Sequence, residues 1–399
     1  MVPMSVKRRI NILHFDSALV RGGAEEHVLT LLRRLDRARF RPMLAAPPAL
    51  INMLLADLPA EVELFPISLS GARDLAGAFR LVRLIEHKAV DIVHSHMFQA
   101  SRLASPLAWL VGVPVIIETP HIREHWRRGW IKGNYWIDRF VGRFVTKYIA
   151  VSNANRDYLV NVKRLPAKKV VVVRNGIPVE RFDPDHKAPA EMGRSLGITE
   201  NAPIVAVVAR LEPQKGHRIL LDAWRLVTES FPQARLVLLG DGSLREQLRA
   251  YAKGLNIDRS VVFAGYQTNV ADWLALAHFT VLPSFYEGLP LAVIESFAAA
   301  RTVVATAVDG TIEIVIDGKT GLLVPPGEPA RLSAAITQLI ASPELARNLG
   351  RTGRRFAEEH FSERRQVDET EAVYEAALGR RPDSTSDCAA FSATEGRVN

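Results

Sequence analysis

Short apolar runs with the character of buried strands alternate with helical patterns along most of this chain. The first run, Ile10–Phe15, precedes a helical pattern over Ala24–Leu35. Similar runs recur at 42–46, 62–66, 92–94, 115–119, 148–151 and 170–173. Strands that alternate with helices predict a parallel sheet covered by helices on both faces.

The same alternation begins again after residues 179–201, which are rich in Pro, Asp and Gly and read as a linker. The later strand-like runs lie at 203–208, 234–239, 261–266, 280–283 and 301–306. A length of 399 residues also favours two domains. We therefore expect domains at 1–178 and 202–360, and a disordered polar tail at 380–399.

The formal net charge of +8 suits anionic partners such as phosphorylated substrates, anionic lipid surfaces or nucleic acid. Cys388 is the single cysteine, so no intrachain disulfide and no cysteine metal cluster can form. This cysteine usage suits a reducing compartment. The sequence has no run of about 20 apolar residues that would predict a membrane-spanning helix. We expect a cytoplasmic protein.

Residues 282–300 carry the clearest candidate site. Pro290 suits the first position of a helix, which we expect to begin near Leu289 or Pro290 and end near Ala300. The backbone N–H groups of Gly288, Leu289 and Leu291 would then form an anion site, and Gly288 would let a ligand approach the backbone.

Two carboxylates bracket this anion site, Glu287 in the preceding loop and Glu295 in the second helical turn. They suit a ligand with hydroxyls on both sides of its phosphates, as in a nucleotide sugar. The alternative interpretation is an ordinary helix start with a surface glutamate and an amphipathic glutamate beside it.

A further loop, Asp16–Gly23, joins the first strand to the first helix. Strand, glycine-rich loop and helix form the phosphate-binding layout of Rossmann-like folds, although the spacing is not G-x-G-x-x-G. Gly22 and Gly23 would let a donor phosphate or an acceptor approach the backbone. A plain turn is the alternative.

Four motifs occur in an order that resembles the retaining glycosyltransferases of family 4, also called group 1. They are Arg-Gly-Gly-Ala-Glu at 21–25, Arg210-x4-Lys215, Leu-Gly-Asp-Gly at 239–242, and Glu287-x7-Glu295 after Pro283-Ser284. The resemblance runs from about residue 10 to residue 360.

This resemblance implies two Rossmann-like domains that face each other across a cleft, the GT-B fold. The first domain would bind the acceptor and the second the donor, with a terminal helix at 361–379 packing back on the first domain. The implied reaction moves a sugar from a UDP- or GDP-linked donor to an acceptor hydroxyl with retention of configuration. It would need neither metal nor cofactor. The acceptor would be a glycan or lipid-linked glycan in cell-surface polysaccharide synthesis.

The resemblance also assigns roles to residues. Arg210 and Lys215 would hold the diphosphate, Glu295 the ribose and Glu287 the sugar hydroxyls, while His121 would lie near the donor sugar. Further predicted donor contacts are Gly22, Gly23, Gly288, Leu289 and Leu291, with Gly240, Tyr266 and Gln267 near the base. The expected catalytic set is His121, Glu287, Arg210 and Lys215.

The chain departs from the family pattern at two places. Ala299-Ala300-Arg301-Thr302 stands where the family usually has Ala-x-Gly-x-Pro, and Asp309-Gly310 where it usually has Gly-Gly. The first change removes the glycine favoured at a helix C-terminus, and the second brings an acid into a loop near the donor. Both put the donor preference in question.

Two other features leave alternatives open. His94 and His96 form a possible metal pair, but no third ligand is evident, so a loop hydrogen bond is the favoured role for His94. The segment 121–147 interleaves basic residues with aromatic ones. We expect peripheral contact with an anionic membrane there, at its inner face, and no nucleic acid. The alternative is a helix whose aromatics pack on the core.

Rival functions remain for such a chain. An epimerase or hydrolase of nucleotide sugars on the same fold would convert the donor without any acceptor. A non-catalytic protein would bind the nucleotide sugar without turnover.

Overall fold

The computed structural model describes residues 8–69, 71, 73–124, 135–195 and 202–379. These residues form two α/β units, each built on one parallel sheet, as the alternating sequence pattern predicts. The expected tail at 380–399 lies outside the described residues, as do residues 125–134 of the basic aromatic segment.

The first unit contains a seven-stranded sheet in the order β3-β2-β1-β4-β5-β6-β7. Its strands are β1 Ile10–Asp16, β2 Phe40–Ala46, β3 Glu63–Pro66, β4 Ile92–His96, β5 Val115–Thr119, β6 Lys147–Ala150 and β7 Val170–Val172. Its helices are α1 Gly23–Arg34, α2 Pro48–Leu54, α3 Leu75–His87, α4 Phe98–Leu110, α5 Trp136–Val141 and α6 Asn153–Asp157. The strand order reverses between β1 and β4, which is where ligands bind in open α/β sheets.

The second unit contains a six-stranded sheet in the order β10-β9-β8-β11-β12-β13. Its strands are β8 Ile204–Val208, β9 Arg235–Leu239, β10 Val261–Gly265, β11 Phe279–Leu282, β12 Val303–Thr306 and β13 Gly321–Val324. Helix α7 covers Ala190–Ser195, and the later helices are α8 His217–Ser230, α9 Arg245–Gly254, α10 Val270–Leu276, α11 Leu291–Ala298, α12 Pro329–Ala341, α13 Pro343–His360 and α14 Glu363–Ala377. The order reverses again between β8 and β11.

The last helix, α14, packs on the first sheet. The Tyr374 hydroxyl lies 2.7 Å from His94 Nδ1, and its ring meets Phe40 edge-on. Val367 and Val373 join the same apolar cluster as Ile10 on β1. Burial of apolar surface on the first unit thus holds the C-terminal helix there.

The two units touch through polar contacts as well. The Glu313 carboxylate accepts the backbone N–H groups of Asn153 (3.0 Å) and Ala154 (2.7 Å) at the start of α6. A negative charge at a helix N-terminus is favourable because the first N–H groups have no partner within the helix. Glu313 therefore links the second unit to the first. In the described ranges, no helix combines the length and the apolar character needed to cross a membrane.

Candidate active site

The loop that carries Arg210 and Lys215 is hydrogen-bonded to the loop that precedes α11. The Gln214 side-chain amide donates to the Tyr286 backbone carbonyl at 2.8 Å, and the Gln214 backbone carbonyl accepts from the Phe285 N–H at 2.8 Å. Gly216 has φ +65°, and a Cβ there would lie 2.1 Å from the Pro283 carbonyl oxygen. The close packing of these two loops fixes Lys215 beside Glu287.

Lys215 and Glu287, predicted to bind different parts of a donor, form an ion pair with each other. Lys215 Nζ lies 2.6 Å from Glu287 Oε1, and the Ser284 hydroxyl donates to the same oxygen at 2.6 Å. The Glu287 residue is 6% exposed. The pairing compensates the charge of a buried carboxylate.

The start of α11 differs from the prediction by one position. Pro290 has ψ 108°, so it is the N-cap and the helix runs from Leu291 to Ala298. The N–H groups of Gly288 and Leu289 donate to no acceptor within the described ranges, while the Glu287 N–H bonds Asp309 Oδ2 at 3.2 Å. Free donors at a helix start remain available for an anion.

Gly288 meets protein, not open space. A Cβ at Gly288 would lie 1.8 Å from the carbonyl oxygen of His121 in the first unit, and a Cβ at Gly310 would lie 1.7 Å from the Gly288 carbonyl oxygen. The sequence-based reason for this glycine, room for a ligand, is therefore wrong for this face of the residue. Glycine is required there because three backbone segments converge.

Glu295, the predicted ribose contact, is half-buried on α11. Burial and, to a smaller extent, the nearby charge of Glu26 raise its pKa to about 7, against a small opposing effect of Arg181. Protonated and ionised forms of Glu295 are therefore both populated near neutral pH.

The glycine loop of the first unit lies against both donor motifs of the second. A Cβ on Gly22 would be 4.0 Å from Arg210 Nε, and one on Gly23 would be 3.7 Å from Leu291 Cδ1. Arg210 itself is exposed. The structure thus brings Gly22 and Gly23 together with Arg210 and Leu291.

Two buried carboxylates beside this loop were missed by the sequence analysis. Asp16 is 2% exposed and Glu25 is 6% exposed. Burial raises the pKa of Asp16 to about 6, and burial together with the Asp16 charge raises that of Glu25 to about 7, partly offset by Arg210. The Glu in Arg-Gly-Gly-Ala-Glu was the available signal, but burial beside Asp16 is a property of the fold.

His121 lies after β5, buried in a group of histidines. Its two ring nitrogens have no hydrogen-bond partner in the described part of the chain, and its ring meets His27 edge-on with centroids 4.8 Å apart. Burial holds the pKa of His121 well below its usual value, so the imidazole is neutral at pH 7.

His94 makes two hydrogen bonds, but its partners lie on α14 and β5, whereas the sequence predicts a hydrogen bond in a loop. Its Nδ1 lies 2.7 Å from the Tyr374 hydroxyl and its Nε2 lies 2.7 Å from Thr119 Oγ1. The expectation that no third histidine lies near His94 and His96 was wrong. Strand β1 pairs with β4 and places His14 directly opposite His94.

The three predicted base contacts lie in different settings. Gly240 has φ +142°, and a Cβ there would lie 2.0 Å from the Ala209 carbonyl oxygen, so close loop packing requires glycine. Tyr266 is 58% exposed, whereas the Gln267 amide donates to the Ala264 carbonyl at 2.7 Å. Of these side chains, Tyr266 has its ring available for stacking.

Both departures from the family pattern occur at positive φ. Ala300 follows α11 with φ +53°, and Asp309 has φ +35°. L-residues other than Asn and Asp rarely adopt this region, whereas glycine has no Cβ and adopts it readily, which explains why glycine is usual there. The Asp309 carboxylate lies beside the Glu287 N–H and 3.6 Å from Arg123.

Comparison with known proteins agrees with this geometry. Residues 21–181 match the family described as Glycosyltransferase Family 4, and residues 190–356 match Glycosyl transferases group 1. The chain is 31% identical over 316 residues to a putative glycosyltransferase, EpsD, of Bacillus subtilis, covering 77% of this chain and 82% of that protein. It is 31% identical over 310 residues to alpha-maltose-1-phosphate synthase of Mycolicibacterium smegmatis, covering 72% and 79%.

A third relative is the Escherichia coli UDP-Gal:alpha-D-GlcNAc-diphosphoundecaprenol alpha-1,3-galactosyltransferase. It is 26% identical over 263 residues, covering 64% of this chain and 68% of that protein. Among solved structures, Anabaena HepE in complex with UDP-glucose superposes with a TM-score of 0.82 at 19% identity, covering 92% of this chain and 100% of that one. The two-sheet architecture and these matches define a glycosyltransferase with the GT-B fold. The chain belongs to the group 1 glycosyltransferases.

Proposed function

We propose that this protein transfers a sugar from a nucleoside diphosphate sugar to an acceptor hydroxyl, with retention of configuration and without a metal ion at the diphosphate. The observation that carries the proposal is the convergence of Arg210, Lys215 and Glu287 with the Gly22–Gly23 loop. These groups come from both units: Gly22 lies beside Arg210, Gly23 lies beside Leu291 at the start of α11, and Lys215 pairs with Glu287.

The diphosphate would bind between Arg210, Lys215 and the free N–H groups of Gly288 and Leu289. Two cations and a helix start supply the positive charge that a divalent metal would otherwise provide. On donor binding, Lys215 would turn from Glu287 toward a phosphate oxygen. The freed Glu287 would then accept hydrogen bonds from the sugar hydroxyls, with His121 on the opposite wall.

The donor is proposed to carry UDP, with a GDP-linked sugar as the alternative. Support comes from likeness alone, because HepE binds UDP-glucose in its crystal structure and the Escherichia coli relative is named for UDP-Gal. The Tyr266 ring is the proposed stacking surface for the base.

In the proposed reaction, the bond between the anomeric carbon and the phosphate oxygen breaks, and a bond to the acceptor oxygen forms on the same face. The acceptor proton passes to the leaving phosphate oxygen. Arg210 and Lys215 stabilise the charge that develops on that phosphate. Asp16 and Glu25, on the first unit, would hold acceptor hydroxyls, and closure of the two units would exclude water.

The acceptor is proposed to be a glycan or lipid-linked glycan for cell-surface polysaccharide, reached at the inner face of the cytoplasmic membrane. An exposed aromatic patch supports membrane contact: Trp109, Leu110, Trp136, Ile137 and Phe140. The Trp109 ring lies 5.1 Å from Phe144, and the Arg143 guanidinium lies 5.9 Å from the Phe140 ring centre. Aromatic side chains beside exposed cations suit an anionic interface.

Co-sedimentation with vesicles tests this patch. Recovery should be higher with anionic than with neutral vesicles, fall with salt, and decrease in a Trp109→Ser, Leu110→Ser variant. Phe79→Ser, which removes an exposed aromatic on α3, is the matched control and should bind as the wild type does. Equal recovery with both vesicle types, insensitive to salt, would remove the membrane proposal.

The transfer itself is tested with UDP- and GDP-sugars and a panel of glycan and lipid-linked acceptors, with NMR of the product anomer. Arg210→Ala, Lys215→Ala and Glu287→Ala should each lower turnover by about 100-fold or more, while the exposed Lys253→Ala should not. Transfer left intact in all three would refute the site assignment. Conversion of donor without acceptor would indicate an epimerase or hydrolase, and binding without turnover a non-catalytic protein.

A further inference from the structure

Histidines from separate elements of the first unit gather beneath the Gly22–Gly23 loop. In the described ranges they are His14 on β1, His27 on α1, His94 and His96 on β4, and His121 after β5. The His27 ring meets His96 and His121 with centroid distances of 5.7 and 4.8 Å. None of these rings is more than 6% exposed.

Three of them, His27, His96 and His121, form a group in which each residue could offer one nitrogen to a metal ion. Their ligand atoms all lie within 4.8 Å of one another. His27 Nε2, His96 Nδ1 and both nitrogens of His121 are buried and have no hydrogen-bond partner in the described part of the chain. Buried polar atoms without partners are uncommon in folded proteins and call for an occupant that satisfies them.

The opposite nitrogens of two of these rings are held by neighbours. His27 Nδ1 lies 2.9 Å from Asn175 Oδ1, and His96 Nε2 lies 3.1 Å from His14 Nδ1. When His27 Nδ1 donates to Asn175 and His96 Nε2 donates to His14, the lone pairs of His27 Nε2 and His96 Nδ1 are free. Metal-binding histidines are oriented by outer hydrogen bonds of this kind.

Gln366 also reaches this cluster, since its Nε2 lies 3.0 Å from His27 Nδ1 while its Oε1 accepts the Gly176 N–H. A metal on His27 Nε2 selects the tautomer with the proton on Nδ1. That proton is then donated to Asn175 Oδ1, and Nδ1 no longer accepts a hydrogen bond from the Gln366 amide. The alternative triad of His14, His94 and His96 is less suitable, because both nitrogens of His94 already face hydroxyl oxygens.

We propose that His27, His96 and His121 bind one divalent transition-metal ion of the zinc type. Neutral imidazoles without a carboxylate select Zn²⁺, Co²⁺, Ni²⁺ or Cu²⁺ over Mg²⁺ or Ca²⁺. Three histidines leave a fourth position for water. The ion joins α1, and with it the glycine loop, to the ends of β4 and β5. One nitrogen of His121 binds the ion, and the other remains for the sugar.

The site departs from the expectation of a metal-free protein, yet it leaves the diphosphate to Arg210 and Lys215. The test of the metal site needs no nucleotide sugar, so its result does not depend on whether the proposed sugar transfer is correct. The full chain is stripped with a chelator, dialysed, and titrated with Co²⁺ while the visible absorption is recorded. We expect one equivalent of Co²⁺ to give the strong d–d bands of a four-coordinate ion, with Zn²⁺ displacing it.

His27→Gln and His96→Gln should weaken Co²⁺ binding at least tenfold and lose the four-coordinate spectrum. His94→Gln removes a neighbouring buried histidine outside the triad, and His217→Gln removes a buried histidine of the second unit. Both should keep the spectrum and the stoichiometry. Circular dichroism and thermal unfolding identify variants that fail to fold, and His121→Asn provides a further variant of the triad.

Three results would overturn the proposal. These are no four-coordinate spectrum in the wild type, the same spectrum in folded His27→Gln and His96→Gln, and loss of the spectrum in folded His94→Gln with retention in His121→Asn. The last result would assign the ion to His14, His94 and His96.

Discussion

Nucleotide binding should release a proton from Glu295, and this makes its proposed ribose contact measurable. Burial raises the pKa of this carboxyl to about 7 in the free protein. Ribose hydroxyls donate hydrogen bonds, which favour the ionised carboxylate and lower its pKa. The nucleotide must therefore bind more tightly as the pH rises through the pKa of the free protein.

The size of the effect follows from linkage. With a pKa of about 7, Glu295 is about one-tenth ionised near pH 6 and about nine-tenths ionised near pH 8. If ribose contact returns the pKa to its ordinary range, affinity for the nucleoside diphosphate should rise about tenfold between these values. The free energy of binding would then change by about 1.4 kcal/mol.

Isothermal titration calorimetry with UDP and GDP across this pH range measures the change, with Glu295→Gln as the control. The nucleotide's own terminal phosphate also titrates, with a pKa of about 6, but it does so equally in both proteins. The difference between wild type and variant therefore isolates Glu295. A difference that is constant with pH, or an affinity gain at low pH specific to the wild type, would refute the ribose assignment.

Three further predictions concern stability, measured by denaturant unfolding. Because the folded-state pKa of Glu295 is raised, the folded protein loses stability as pH rises from about 4.5 to about 7, at about 1.4 kcal/mol for each pKa unit. Glu295→Gln should remove this loss and be more stable than wild type near pH 8 by at most about 3 kcal/mol. Equal stability of the two proteins at all pH values would contradict the argument that burial raises the pKa of Glu295. Ala300→Gly should stabilise the protein by about 1 kcal/mol, since Ala300 has φ +53°. As the control, Ala298→Gly inside α11 should destabilise it by about 1 kcal/mol. A loss of stability in Ala300→Gly would refute the positive φ of Ala300. Gly288→Ala should destabilise the protein by about 1–3 kcal/mol and lower turnover, because the added Cβ would clash with the His121 carbonyl. Gly254→Ala is the control: its Cβ would point into open space, so the change should be neutral or stabilising. A neutral Gly288→Ala would show that the two units do not touch at Gly288.

The two parallel sheets could be predicted because the local pattern repeats. Each buried strand is a short apolar run, and each crossover helix has its own apolar face, so the alternation of strands and helices can be recognised from local sequence patterns. The prediction missed β13, Gly321–Val324, because its short apolar run lies between two stretches of turn residues, 317–320 and 325–327, and so resembles part of one loop.

The donor side of the site could be anticipated because its residues are close in sequence. Glu287 and Glu295 lie around one helix start, and Arg210 and Lys215 lie in one loop. The ion pair between Lys215 and Glu287 could not be predicted from the sequence, because it depends on the packing of Gly216 against Pro283. The departure at Ala300 was recognised from a missing glycine, and its positive φ gives the physical reason.

The site residues of the first unit were harder to predict from the sequence. His27 is far in sequence from His96 and His121, and only the order β1-β4-β5 together with the position of α1 brings the three rings together. Asp16 ends β1 and Glu25 lies on α1, so the raised pKa of each carboxyl depends on burial that no motif records. Residues that act through burial and non-local pairing are not visible in a single sequence.

Thermal unfolding with a panel of nucleoside diphosphates and their sugars tests the donor site most directly. A ligand that binds the folded state raises the unfolding midpoint. The account predicts a rise with one base family in the wild type, and its loss in Arg210→Ala and Lys215→Ala but not in Lys253→Ala. A rise that survives in both site variants, or no rise with any member of the panel, would contradict the proposed donor site.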